Sequence, residues 1–278
     1  MHPRDFARSL DHFVVPVDDI VIAEEFYVRV FGGVITKRNG LNTRQRKRGA
    51  VPHTFIQIGG KRMGVYLQSE ERPSAVSARG LPTYSFTTTA QGLDLVMHDL
   101  CDLGTTCDGP VRHPWPFADQ SLFFTDPAGN HYAVFTPNES PRAEDGTGRM
   151  TGVGYIELEA PDLAGSIDFY EKVLGFELTH RSEDLRQAML TMASGQTLIL
   201  TKAPFSSKGL IMSRKVPGPH IAFYVPGDRW RNAIAHLDAF GIPHGDRGAA
   251  KERHEGQGGT YMDDPAGYVI QLITDGME

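Results

Sequence analysis

The chain predicts an α+β fold: four βαβββ units forming two curved-sheet domains, each around a cavity. Two internal matches and a recurring order of local patterns carry that expectation. LDHFVVPVDDIVIAEEFYVRVFGG near the start is answered by VGYIELEAPDLAGSIDFYEKVLGF after residue 150, with Asp19 and Asp162 standing 143 residues apart. TDPAGNHYAVF, ending at Phe135, is answered by DDPAGYVIQLI, ending at Ile273, at an offset of 138. Two ordered matches of this length mark a duplication.

The elements follow in order. Each half opens on a β-branched run, Phe13 to Val17 and Tyr155 to Ala160. Asp19 and Asp162 are placed to cap the helix that comes next. In the first helix Ala23, Phe26, Tyr27 and Val30 recur at i, i+3, i+4 and i+7, which makes one buried stripe. Gly32 and Gly175 end these helices, where a positive φ is wanted. Strand-like runs come next: HTFIQIGG and RMGVYLQ in the first half, QAMLTMAS and QTLILTK in the second. Each half then repeats the plan with a strand (TYSFTTT; HIAFYVP), a helix (GLDLVMHDLCDLG; RWRNAIAHLDAFG) and strands ending at Phe135 or Ile273. Residues 138–150, NESPRAEDGTGRM, are polar and turn-forming and are expected to link domain 1–137 to domain 151–278. Helices covering one face of each sheet leave the other face curved, so two such sheets can close around a cavity.

Composition narrows the function classes. With 278 residues and 40% apolar side chains, the chain can bury roughly 70% of its unfolded surface, so a packed core is expected. The balance of 34 acidic against 28 basic residues, net −6, argues against nucleic acid or an anionic membrane as partner. No run approaches the roughly 18 apolar residues of a membrane span. The opening MHPRDFARSL lacks the apolar core of a signal peptide. A cytoplasmic protein with a small-molecule ligand is expected, and the duplication is compatible with a homodimer without requiring one. Cys101 and Cys107 are too few for a disulfide framework or a cysteine-only zinc site. GTGRMTG does not lie between a strand and a helix, and no phosphate loop, nucleophile elbow or HExxH occurs. The basic run KRNGLNTRQRKR, residues 37–48, reads as a solvated loop, the alternative being a lid that attracts an anionic substrate.

The strand followed by Asp, the FY-x-(K/R)-V-x-G helix, the mid-domain P-H-I-A-F and the DPAG before the last strand resemble the vicinal oxygen chelate superfamily. That superfamily includes glyoxalase I, the fosfomycin and bleomycin resistance proteins and the extradiol ring-cleaving dioxygenases. Two fused domains of this length look most like the extradiol enzymes. The resemblance implies metal ligands early in the first strand, at the start of the fifth and in the middle of the eighth, usually two histidines and one carboxylate, a set suited to Fe(II) or another divalent ion. On this chain those positions are Tyr155, His220 and Gln271 in the second half and His12, Thr83 and Ala133 in the first, so neither half holds the full set. The family's fourth-strand histidine falls near Gln196, its active-site tyrosine near Tyr261 and its loop histidine near His254.

The residues themselves allow more than one chemistry. Side chains two apart on a strand share a face, so Ile156 and Leu158 would pack under the helix while Glu157 faces the cavity. There it would be a general base with a raised pKa or part of a weak metal site, against the plainer reading of a solvated or arginine-paired carboxylate. His220 begins an apolar strand as a ligand or catalytic group, or as a hydrogen-bonded wall residue. Gln271 interrupts VIQLI, where a buried amide needs partners and can orient a ligand or coordinate a metal. Tyr155 would bond a substrate oxygen or fill space, since a phenol with a pKa near 10 is a poor ligand for divalent ions. If neighbouring units pair in sequence, as the extradiol-like length favours, His12 is a relic or a structural residue. If the first unit pairs with the last, His12, His220 and Gln271 meet in one cavity.

These readings lead to an extradiol-dioxygenase-like enzyme, dioxygenase- or lyase-like in chemistry, with a modified cavity for a small aromatic or other oxygen-bearing molecule. His220, Glu157 and Tyr261 are the expected catalytic groups. Tyr155, Gln271 and His254 are expected to contact substrate, and His220, Gln271 and His12 to hold a divalent metal, Fe or Mn, if one is bound at all. The alternative is a noncatalytic protein that sequesters a small molecule, similar to the metal-free bleomycin resistance proteins.

Overall fold

A computed structural model describes residues 6–47, 51–68, 77–138, 149–203, 218–247 and 257–275. The first repeat is β1 (Ser9–Val17), α1 (Ile20–Phe31), β2 (Val34–Asn39), the short α2 (Thr43–Lys47), β3 (His53–Ile58) and β4 (Lys61–Leu67). The second is β5 (Thr83–Thr88), α3 (Ala90–Asp102), β6 (Cys107–Arg112), β7 (Ala118–Thr125) and β8 (His131–Pro137). The third is β9 (Met150–Glu159), α4 (Leu163–Lys172), β10 (Glu177–Arg181), β11 (Gln187–Thr191) and β12 (Thr197–Thr201). The fourth is β13 (His220–Tyr224), α5 (Trp230–Ala239), β14 (Gly258–Asp263) and β15 (Val269–Thr274). Where the other repeats have a strand after the helix, this one has a single bridge, Gly245 to Tyr261, among its described residues.

The mixed α+β architecture with two many-stranded curved sheets agrees with the sequence reading. One sheet runs β14-β15-β13-β1-β4-β3-β2 and the other β10-β11-β12-β9-β5-β8-β7-β6. Within the unit of residues 1–13 and 157–278 the start of β1 lies beside β13, so His12 of the first repeat meets the fourth and not the second, unlike the pairing favoured from chain length. The physical reason is that β1 and β9 each have two hydrogen-bonding edges, and local pattern does not specify which strand takes the second edge. By compactness the chain divides into Met1–Phe13 with Glu157–Glu278, and Val14–Ile156. Of the expected linker, residues 139–148 lie outside the described residues.

The predicted caps and stripe are present. Asp19 Oδ1 accepts from Val21 N at 2.7 Å and Ile22 N at 3.1 Å, and α1 ends at Gly32 with φ +67°. Asp162 accepts from Gly165 N at 3.1 Å at the start of α4. Ala23, Phe26, Tyr27 and Val30 are all buried. The structure also explains why FY and DP recur together. Tyr27 OH donates to Asp126 Oδ2 in residues 14–156, and Tyr170 OH donates to Asp264 Oδ2 at 2.8 Å in the other unit. Each DP turn is thereby tied to a helix, and each buried hydroxyl finds its acceptor. The basic run is part strand and part helix: Lys37 to Asn39 close β2, Thr43 to Lys47 form α2, and Arg48 lies outside the described residues. No residue of α2 is buried, so its charges are solvated as expected.

Candidate functional site

The strand order gathers one polar cluster in the unit formed by residues 1–13 and 157–278. His220 opens β13, and two residues along, Ala222 stands beside Gln271 of β15 in parallel register. Gln271 in turn faces Tyr261 across the β14–β15 ladder. His220, Gln271 and Tyr261 therefore share one sheet face. On it the Tyr261 and His220 rings meet edge to face with centroids 5.3 Å apart. His12 comes from β1, next to β13 in the sheet. Its Nε2 lies 3.1 Å from His220 Nε2, with the rings at 79°. All four side chains are buried, none more than 9% exposed.

The other ring nitrogens define the chemistry of the pair. His12 Nδ1 is 2.5 Å from Asp11 Oδ1, and His220 Nδ1 is 2.5 Å from the Gly218 carbonyl oxygen. A carbonyl only accepts, so His220 Nδ1 carries the proton, and the carboxylate assigns the same tautomer to His12. Both Nε2 lone pairs then point at one locus. Two acceptors held at that separation need a proton or a cation between them. A histidine that donates its far nitrogen to a carboxylate or carbonyl is the usual arrangement of a metal ligand. Gln271 Oε1, on the same face, is buried without a hydrogen-bond partner, which is costly unless something else satisfies it. Two imidazole nitrogens and an amide oxygen are a donor set that fits a divalent ion.

The remaining sequence-predicted residues lie elsewhere. Glu157, on β9 of the eight-stranded sheet, is half-buried and accepts from Thr201 Oγ1 at 2.5 Å and Gln187 Nε2 at 3.3 Å. Burial pushes its carboxyl above the usual range against the pull of those two donors. Ile156 and Leu158 are buried, as the alternation predicted. Tyr155 lies among rings of residues 14–156, with centroids 5.6 Å from His113, 6.0 Å from Phe117 and 5.7 Å from Phe135. His113 accompanies it with Nδ1 2.8 Å from Ser121 Oγ, and burial first, then the Arg79 charge, lowers its pKa to about 4. Thr83 donates to the Gly80 carbonyl at 2.5 Å and Ala133 is fully buried. Gln196 accepts from Leu10 N at 2.9 Å and so tethers the start of β1. His254 lies outside the described residues. The sequence reading missed Asp11 and the Gly218 carbonyl. The adjacency of Asp11 to His12 was visible, but its meaning appears only once β1 lies beside β13.

A duplicated scaffold of strand, helix and strands is the architecture of a class, and the comparisons give that class its name. The model for the Glyoxalase/Bleomycin resistance protein/Dioxygenase superfamily matches residues 9–134 and 152–272. The chain belongs to this superfamily. It is 31% identical over 129 residues to the catechol-2,3-dioxygenase of Bacillus subtilis (strain 168), a match covering 45% of this chain and 42% of that protein. The aligned stretch thus spans less than half the curated relative's length. In structure it is similar to a protein of Bacillus subtilis subsp. subtilis str. 168 described provisionally as a dioxygenase, with TM-score 0.74 and 15% identity over 98% of this chain and 87% of that one. It is also similar to glyoxalase I from Zea mays, with TM-score 0.65 and 17% identity over 98% of this chain and 94% of that one. At these identities the structural likenesses show the fold. Among the described residues no helix is long and apolar enough to cross a membrane.

Proposed function

We propose that the protein is an enzyme acting on a small oxygen-bearing molecule, with an aromatic diol as the first class to test, at the cluster of His12, His220, Tyr261 and Gln271. The single observation that carries this reading is the facing pair of Nε2 atoms, each imidazole held from behind by an acceptor. His12, His220 and the Gln271 amide oxygen are the residues that would hold a divalent ion, Fe or Mn. Such an ion, when bound, polarises and orients oxygens placed beside it.

The chain's own groups supply the rest. Asp11 and the Gly218 carbonyl fix both imidazole orientations before any ligand arrives. Gln271 is neutral where the superfamily resemblance implies a carboxylate, so the three donor groups bring no negative charge. An ionisable substrate oxygen is the group that would complete the charge balance, which favours hydroxyl-bearing aromatics over hydrocarbons. Tyr261, whose ring meets that of His220 edge to face, is the group that would donate a hydrogen bond to a bound oxygen. The low exposure of the cluster keeps water from competing for these contacts. A cytoplasmic location and a homodimer belong to the same proposal.

The test is elemental analysis of untagged protein purified from cells supplied with iron and manganese, followed by assay with catechol, the diol in the relative's name. About one divalent ion per chain is expected, absent from His220→Ala, together with a loss of catechol turnover of about a hundredfold or more. Metal-free protein that binds aromatic ligands tightly without converting them would replace the enzyme reading with sequestration.

A further inference from the structure

We propose that Glu157, with Thr201 and Gln187, forms a second ligand site on the eight-stranded sheet, separate from the histidine cluster, that takes an organic ammonium ion with a short alkyl portion. The starting observation is an incomplete carboxylate. Thr201 Oγ1 and Gln187 Nε2 both donate to Glu157 Oε1, and Gln187 Nε2 also lies 3.1 Å from Thr201 Oγ1. Oε2 has no partner among the described residues, and no lysine, arginine or histidine there pairs with this glutamate. A half-buried carboxylate without a countercharge is poorly stabilised, and a ligand bringing one N–H⁺ to Oε2 supplies what is missing.

The surroundings choose among cations. Only one carboxylate oxygen is open, so the site offers a single acceptor and not the two-pronged surface that matches a guanidinium. The two side chains that reach Glu157 are neutral and bonded to one another, too few for the six or more oxygens a hard divalent cation needs. The titratable groups on the same face are Glu159, two residues along β9, and His180, opposite Met189 across the β10–β11 ladder. Gln187 pairs with Thr201 across the β11–β12 ladder, and Met189 follows two residues later on the same face, half-buried. A thioether beside the carboxylate suits the alkyl end of an amine.

The experiment is an NMR titration of the full-length protein at pH 7.5 with n-butylammonium chloride, with butan-1-ol and magnesium chloride run in parallel at matched ionic strength. Saturable shifts of the backbone amides of residues 157, 187, 189 and 201 are expected with butylammonium alone. Glu157→Gln, which keeps shape and removes an uncompensated charge, should weaken binding at least tenfold, while His220→Ala should leave it unchanged. Met189→Lys, which brings a cation to the same face, serves as a second variant should Glu157→Gln not fold, and it too should weaken binding. The proposal is overturned if butylammonium gives no saturable shift, if butan-1-ol or magnesium gives the same shifts, or if binding survives in whichever of the two variants is folded. Because His220→Ala empties the metal site alone, failure of the enzyme reading leaves this result unaffected.

Discussion

By the internal repeat, His12 and Tyr155 occupy the same place in the two halves, as do Gln271 and Ala133, yet their surroundings have opposite character. Around His12 every polar atom is aimed: Asp11 holds one nitrogen, His220 faces the other, and Gln271 Oε1 waits on the same face without a partner. Around Tyr155 the space is filled by packed rings, with His113, Phe117 and Phe135 in ring contact and His113 kept neutral at pH 7 by its burial. The difference teaches that the scaffold fixes positions without fixing chemistry. One copy of a repeated position can keep its donors while the other becomes core.

Three measurements break or sharpen this contrast. The largest effect is expected from Phe135→Ala. Phe135 is 2% exposed and stacks on both His113 and Tyr155, so the lost contacts and the cavity should cost about 3–5 kcal/mol. Chemical denaturation should show that loss while metal content stays unchanged. A change in metal content instead would show that the ring cluster helps build the histidine site.

The next concerns the unit that carries the histidine pair. Burial raises the Asp264 carboxyl from 3.8 to about 6, despite hydrogen bonds from Tyr170 and from the backbone of Ala266 and Tyr268. Between those values the folded chain holds a proton that the unfolded chain releases. Its contribution to stability is therefore complete below pH 3.8 and is lost as pH rises through about 6. That loss amounts to about 2 kcal/mol between pH 4 and pH 7. Asp264→Asn has nothing to titrate at this position. Its stability difference from the natural protein should shrink by that amount over the same range, as denaturation at several pH values would show. A constant difference would mean that Asp264 titrates alike in both states.

The smallest effect is expected from Asp11→Asn, which leaves His12 in place and weakens only the group behind it. Metal affinity should fall about tenfold, within the range of such indirect partners. A competition titration with a chelator reads this directly. No change would mean that Asp11 does not hold His12 for a ligand.

Much of the fold was legible because its signals are local. Asp19 caps α1, the stripe through Phe26 and Tyr27 is buried, and Gly32 takes the positive φ that its position demands. The repeat of FY and DP announced two equivalent units before their Tyr–Asp bonds could be seen. The site was legible in its members and not in its assembly. His12, His220, Tyr261 and Gln271 could all be named from the chain, but their meeting depends on which strand lies beside β1, and a strand's own alternation says which face is buried without naming its neighbour. Glu157 failed to join them for the same reason, since β9 belongs to the other sheet. His113 gave no signal because it follows β6 without a motif, and its neighbours come from β7, β8 and β9.

His12 and His220 are separated by 208 positions along the chain. During synthesis the first imidazole leaves the ribosome long before the second, and Gln271 follows later still. A nascent or truncated product ending before β13 can hold most of the strands and several finished helices yet lack two of the three donors. The proposed capacity to capture a cation should therefore arrive abruptly, only once β13 and β15 have both been made.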